Sequence, residues 1–100
     1  METQRIVHLV LTGRVQAVGF RDFLARKARA RSVSGWVRNR RDGAVEATLA
    51  GDHQAVEAVI AEARIGPRGS RVDDFAADDH PVSAQELERL GRGFAIRPTA

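Results

Sequence analysis

Apolar positions alternate near the start of the chain and then recur at helical spacing. In residues 5–12, alternate apolar side chains fall on one face, which is the pattern of a β-strand with one buried side. In residues 20–31, apolar side chains recur three or four positions apart, which predicts an amphipathic helix. The stretch between these two elements is therefore predicted to be a strand-to-helix loop over residues 13–19.

The middle of the chain predicts a hairpin followed by a second helix. Residues 35–39 and 45–49 are predicted as strands. The turn between them is indicated by Gly43, since glycine adopts positive φ without steric cost. Asp52 is predicted to cap a second helix, and Gly66 to end it.

The last third of the chain has weaker patterns. Residues 71–76 are predicted as a fourth strand, and residues 78–83 as a polar loop. Residues 85–90 fit either one helical turn or a loop. Residues 94–97 are predicted as a short final strand.

This order of elements is β-α-β-β-α-β with a short C-terminal strand. It predicts the α+β class and a ferredoxin-like split β-α-β sandwich, with two helices on one face of an antiparallel sheet. The right-handed crossover makes the first and second strands parallel, with the third strand between them. The loop, Arg21 and Asn39 are therefore expected to converge at one edge of the sheet.

Composition narrows the class of protein and its compartment. One hundred residues, 43% of them hydrophobic, fit a single domain over residues 1–100. The absence of cysteine excludes disulfide and thiolate chemistry and favours the cytoplasm. No targeting segment is evident, and the apolar run at residues 6–11 is too short to span a bilayer. We therefore expect no membrane partner.

The loop before the first helix is a candidate anion site. Consecutive backbone N–H groups and the helix dipole favour negative charge at such a position. The small side chains of Ala17 and Gly19 would let a phosphate approach the backbone, and the guanidinium of Arg21 would bind two phosphate oxygens. An ordinary strand-to-helix turn with a solvated arginine also explains the loop, and the loop by itself favours that interpretation.

Asn39 would bring a carboxamide to the same edge of the sheet. An amide orients a water molecule but is not a base. The alternative interpretation is that Asn39 only starts a hairpin, since an asparagine in that position commonly bonds its own backbone.

The three histidines lack ligand spacing, so we expect no metal and no cofactor. Such a site suits phosphates with a good leaving group. The carboxylate of a mixed carboxylic–phosphoric anhydride is one, because the pKa of its acid is about 4.

Two motifs resemble the signatures of the acylphosphatase family, namely GRVQAVGFR at residues 13–21 and GWVRNRRDGAVEATLAG at residues 35–51. The segments GPRGSRVDDF and FAIRPT resemble the start of the family's fourth strand and its C-terminus. The resemblance implies a ferredoxin-like fold and metal-independent hydrolysis of acyl phosphates to a carboxylate and inorganic phosphate. It also implies that Arg21 is the catalytic arginine and Asn39 the catalytic asparagine. The implied main-chain N–H donors to phosphate are those of Val15, Gln16, Ala17, Val18, Gly19 and Phe20.

The first motif departs from the family pattern at Ala17, where the family usually has glycine. If the backbone there needs a positive φ, alanine costs on the order of 1 kcal/mol and turns an N–H away from the phosphate. A negative φ would make the alanine harmless. The alternative function is therefore a catalytically weak phosphate-binding module of the same fold.

The net charge of +3 also admits an RNA-recognition domain of this topology. Such a domain needs aromatic side chains on its two central strands to stack bases. The segments RIVHLVLT and AVEATL, which form those strands, contain no aromatic residue, so we expect no nucleic-acid partner. The expected partners are an acyl phosphate as substrate and inorganic phosphate as product, and the chain is expected to be a monomer.

Overall fold

The computed structural model of the protein describes residues 4–100. Its elements are β1 (Gln4–Arg14), α1 (Phe20–Ala30), β2 (Ser34–Asn39), β3 (Val45–Asp52), α2 (His53–Ile65), β4 (Arg71–His80), α3 (Ala84–Leu90) and β5 (Phe94–Ile96). The first three residues of the predicted domain over residues 1–100 lie outside the described residues. No helix within residues 4–100 is long and apolar enough to cross a lipid bilayer.

The strands form one sheet in the order β4-β1-β3-β2-β5. β3 pairs antiparallel with both β1 and β2, so the predicted parallel orientation of β1 and β2 is confirmed. β5 pairs parallel with β2, and the sheet is therefore mixed rather than wholly antiparallel as predicted. The position at which β4 ends explains why β5 is parallel to β2. His80 lies opposite Ile6 near the start of β1, so the returning chain enters β5 in the direction of β2.

The two long helices, α1 and α2, pack on one face of the sheet, and the core lies between the helices and the sheet. Apolar side chains of β1, β2 and β3 that point to this face are fully buried. The opposite face is polar, and α3 lines a cavity of about 330 Å³ there with His8, Trp36 and Thr48. The fold therefore buries one side of the sheet, which the alternating pattern of β1 predicts.

The ends of α2 follow the signals predicted from the sequence. The Asp52 carboxylate accepts hydrogen bonds from the backbone N–H groups of Gln54 and Ala55, at 3.2 and 3.4 Å. Such a cap stabilises a helix by about 1 kcal/mol. Gly66 follows α2 with φ +74°, and a Cβ there would lie 2.9 Å from the ring of Phe20. Glycine at this position therefore lets Phe20 pack against the end of α2.

The C-terminal part departs from the prediction in two places. β4 runs to His80, so residues 78–80 are strand where a loop was predicted. Pairing with β1 satisfies the backbone groups on one side of these residues, although their side chains are polar and exposed. Residues 85–90, which fitted a helical turn or a loop, belong to α3. The Ser83 hydroxyl caps α3 by accepting a hydrogen bond from the Glu86 N–H at 3.1 Å.

Candidate active site

Three segments meet at one end of the sheet, as the topology predicts. Leu11 of β1 and Asn39 of β2 both pair with Val45 of β3. The loop at residues 15–19 follows β1 directly and leads into α1. A cavity of about 180 Å³ opens where these segments meet. It is lined by Val15, Ala17, Gly19, Phe20, Arg21, Asp22, Asn39 and Ile96.

The backbone of this loop passes through two left-handed residues. Ala17 has φ +61°, and Gly19, which precedes α1, has φ +76° and ψ 23°. No side chain caps the start of α1. The first backbone N–H groups of a helix have no partner within the helix, and the helix dipole adds positive potential at the same point. The loop therefore has the backbone features that were predicted for an anion site.

Four of the six residues expected to donate main-chain N–H groups line the cavity, and three of the six have side chains in or against the core. The four that line the cavity are Val15, Ala17, Gly19 and Phe20. The side chains of Val15 and Phe20 are also buried in the core, and Val18 is partly buried against it. These apolar anchors fix the loop, which leaves its backbone as the part that faces a ligand.

Arg21 and Asn39 line the cavity with free polar ends. Two arginines near the cavity are paired, since Arg38 contacts Glu46 at 2.7 Å and Arg40 contacts Asp42 at 2.6 Å. Within residues 4–100, no hydrogen bond or ion pair engages the Arg21 guanidinium or the Asn39 carboxamide, although both residues line the cavity. Within the described residues, the Asn39 side chain makes no hydrogen bond to its own backbone. The interpretation of Asn39 as a simple hairpin start therefore lacks the bond on which it depends.

The model of the acylphosphatase family matches residues 7–96. The chain belongs to the acylphosphatase family. A protein named acylphosphatase from Nitrobacter hamburgensis is 48% identical over 93 residues, covering 91% of this chain and 92% of that protein. One from Bifidobacterium longum is 44% identical over 90 residues, covering 90% and 89%. The crystal structure of acylphosphatase from Bacillus subtilis matches with a TM-score of 0.83 and 31% identity, covering 93% of this chain and 98% of that one.

In this acylphosphatase-family chain, the Gln16 side chain has a role that sequence reasoning missed. Its Nε2 donates hydrogen bonds to the carbonyl oxygens of Arg40 and Ala44, at 2.7 and 2.9 Å. Both carbonyls belong to the turn that follows Asn39. Gln16 therefore ties the loop to the segment that carries the carboxamide, and it sets the spacing between the two halves of the site.

The turn after Asn39 is also held by a carboxylate. Asp42 accepts a hydrogen bond from the Ala44 N–H at 3.0 Å and another from the Arg40 guanidinium at 2.6 Å. The Ala44 N–H, followed by the charge of Arg40, holds the pKa of the Asp42 carboxyl below its ordinary value. These bonds are therefore complete above the ordinary pKa of an aspartate. They are lost only as the pH falls through the lowered value.

Replacing Gln16 by methionine is expected to loosen this connection. The change keeps the length of the side chain but removes both donors, so we expect the free energy of unfolding to fall by about 1–2 kcal/mol. We expect kcat for an acyl phosphate to fall about tenfold, because the loop shifts relative to Asn39. Chemical denaturation and steady-state kinetics measure the two effects. Gln54→Met on the exposed surface of α2 is the control. An unchanged kcat in a destabilised Gln16→Met would reduce Gln16 to a structural role.

The backbone at Ala17 decides between the two cases that the sequence left open. Its φ of +61° is left-handed, so this is the case in which alanine is strained relative to glycine. The strain lies in the loop that is predicted to bind phosphate, whereas the cavity around it remains open. The chain therefore keeps the conformation of the loop at a cost in stability.

Replacing Ala17 by glycine is expected to remove that strain. We expect the variant to gain about 1 kcal/mol in the free energy of unfolding, which raises Tm by about 4–8 °C in a domain of this size. Phosphate should bind at least as tightly as to the wild type. Calorimetry and phosphate titration measure these effects. Ser32→Gly is the matched control, because Ser32 also has a left-handed φ, +56°, but lies outside the cavity lining. Both variants should gain stability, and only Ala17→Gly should change phosphate binding.

Two residues of the cavity lining were not predicted. Ile96 reaches the cavity because β5 pairs with β2, where Ile96 lies opposite Val37. No local pattern in the sequence discloses that pairing. Asp22 lines the cavity because it follows Arg21 in the first turn of α1, and its position next to that arginine is the signal that could have identified it.

Proposed function

We propose that this chain hydrolyses the carboxyl–phosphate bond of acyl phosphates, without a metal ion, to give a carboxylate and inorganic phosphate. The observation that carries the proposal is the cavity beside the left-handed loop, into which Arg21 and Asn39 bring polar groups with no partner in residues 4–100. Membership of the acylphosphatase family supports the same reaction.

In the proposed complex, the phosphoryl group lies in the loop. Backbone N–H groups of residues 15–20 donate hydrogen bonds to its oxygens, and Arg21 neutralises its charge with a planar pair of donors. Donors that are already in place meet the charge on the equatorial oxygens in the transition state without reorganisation. Such electrostatic stabilisation is usually the largest contribution to catalysis.

Asn39 is proposed to hold the attacking water in line with the bond that breaks. The water oxygen forms a bond to phosphorus while the bond from phosphorus to the acyl oxygen breaks, and the carboxylate leaves with the electron pair. A phosphate oxygen of the substrate accepts the proton of the water. No protein base is required, because the leaving carboxylate has a conjugate acid with a pKa of about 4 and departs without protonation.

Hydrolysis of benzoyl phosphate in the presence of a chelator tests this proposal. We expect release of phosphate that the chelator does not reduce, and no turnover of p-nitrophenyl phosphate, whose leaving group is a poorer one. A folded protein that binds phosphate but hydrolyses no acyl phosphate would instead be the weak binding module. Ala17, which stands where the family usually has glycine, is the residue that motivates this second candidate.

We further propose that the protein acts in the cytoplasm as a monomer, with no nucleic-acid or membrane partner. The absence of cysteine supports the compartment. On the polar face of the sheet, the guanidinium carbons of Arg38 and Arg97 lie 4.9 and 4.8 Å from the centre of the Trp36 ring. This ring is therefore already stacked with cations of its own chain, which disfavours base stacking on that face.

A further inference from the structure

The cavity has a negative charge beside its arginine. Asp22 is the second residue after Phe20 in α1, it is exposed, and it lines the cavity next to Arg21. Among the residues that line this cavity, Asp22 is the one carboxylate and Arg21 the one cation. Several other carboxylates form ion pairs with arginines, but within the described residues 4–100 the Asp22 carboxylate forms none. A dianionic phosphoryl group needs positive charge, so a carboxylate at this position does not help to bind it and instead faces the part of the ligand beyond the phosphate.

The same cavity also has an apolar wall. Ile96 of β5 is 38% exposed and is one of the few large apolar side chains in residues 4–100 that are open to solvent. It lines the cavity together with Val15 and Phe20, whose side chains are buried beneath the loop. An exposed apolar side chain at a ligand cavity gains free energy when an apolar group of the ligand covers it.

We infer that Asp22 and Ile96 select the acyl group of the substrate, favouring uncharged, apolar acyl groups over those that carry a second carboxylate. This inference rests on the proposed hydrolysis of acyl phosphates. The cavity of about 180 Å³ holds the phosphoryl group, and the acyl group leaves it past the exposed side chains of Asp22 and Ile96. Ile96 contacts the acyl group, and Asp22 repels a carboxylate on it.

Charge explains the direction of this selection. Arg21 is committed to the phosphoryl oxygens, so no lining cation remains to neutralise a second carboxylate on the acyl group. Two negative charges several ångströms apart near a protein surface repel each other enough to change a rate several-fold. Salt screens such a repulsion between exposed groups, with a Debye length of about 10 Å at 0.1 M ionic strength. The discrimination should therefore weaken as salt is added.

An acidic residue in the first turn also stabilises a helix through its dipole, and that structural role alone would explain Asp22. The two explanations differ in their effect on substrate choice. A dipole role changes stability and leaves the ratio of kcat/KM values for two substrates unaltered. A selective role changes that ratio even where stability is unaffected.

The test compares butyryl phosphate with succinyl monophosphate, which have the same four-carbon length and differ by one carboxylate. For the wild type we expect kcat/KM for butyryl phosphate to exceed that for succinyl monophosphate, by a factor that shrinks in 0.5 M salt. Asp22→Asn should raise the succinyl-to-butyryl ratio about fivefold. Asp78→Asn, which removes an exposed aspartate from β4, is the control for net charge and should leave the ratio unchanged.

Ile96 is tested with acetyl and butyryl phosphate. Ile96→Ser should lower kcat/KM for butyryl phosphate about fivefold relative to acetyl phosphate, because the longer chain loses its apolar contact. An unchanged succinyl-to-butyryl ratio in Asp22→Asn, or loss of all turnover in that folded variant, would overturn the inference. Failure of the wild type to hydrolyse any of the three acyl phosphates would instead contradict the proposed function.

Discussion

Arg21→Ala is expected to abolish measurable hydrolysis of benzoyl phosphate, with kcat/KM lower by about 10³- to 10⁵-fold, the range seen when an arginine that neutralises a transferred phosphoryl group is removed. The guanidinium is the one cation lining the cavity, so both binding and the transition state lose their main positive charge. Inhibition by inorganic phosphate should weaken in parallel. Steady-state kinetics and phosphate titration of the folded variant measure both effects.

Arg26→Ala is the matched control for this experiment. Arg26 lies on the exposed side of the same helix, α1, and outside the cavity lining. The control should retain wild-type kcat/KM and thermal stability. Retention of more than a tenth of the activity in Arg21→Ala would show that the backbone of the loop suffices for catalysis.

Asn39→Ala is expected to separate turnover from binding. Removing the carboxamide should lower kcat by about 10²- to 10³-fold, the size of the loss when one positioned donor is removed from an active site. The affinity for inorganic phosphate should change less than about threefold, because the loop and Arg21 remain in place. Product-inhibition kinetics and calorimetric titration of phosphate provide the two measurements.

The control for Asn39→Ala is Arg41→Ala, in the same turn. The Arg41 side chain is exposed, and its backbone N–H donates to the Ala100 carbonyl at 2.8 Å, a bond that the substitution preserves. It should leave kcat unchanged. If Asn39→Ala lost phosphate affinity as severely as Arg21→Ala, the two residues would share one role in binding, and the proposed orientation of water by Asn39 would be wrong.

Local patterns predicted the part of the fold that positions the site. The alternation in β1 and the helical spacing in α1 place the loop between them correctly, and the hairpin signal at Gly43 places the end of β2. The right-handed crossover then brings Arg21 and Asn39 to one edge of the sheet. These features follow from side-chain periodicity and chain sterics, which act over short stretches and are visible in sequence.

The features that were missed depend on contacts between distant segments. Gln16 bonds carbonyl groups 24 and 28 residues away, and a backbone carbonyl has no sequence signature. The parallel pairing of β5 with β2 is decided by where β4 ends. The left-handed φ of Ala17 is imposed by the path from β1 into α1, and alanine itself gives no sign of it. In each case the tertiary structure decides what the local sequence leaves open.

β4, one of the two edge strands of the sheet, has a further consequence for how the protein behaves in concentrated solution. An edge strand offers unpaired backbone groups to any other chain, and charged side chains along the edge oppose such pairing. β4 carries Asp73, Asp74, Asp78 and Asp79 within ten residues. Two copies that approach edge to edge therefore meet mutual repulsion before a ladder of hydrogen bonds forms. Asp78 and Asp79, which obscured the end of β4 in the sequence, are thus expected to disfavour the association of folded copies through this edge.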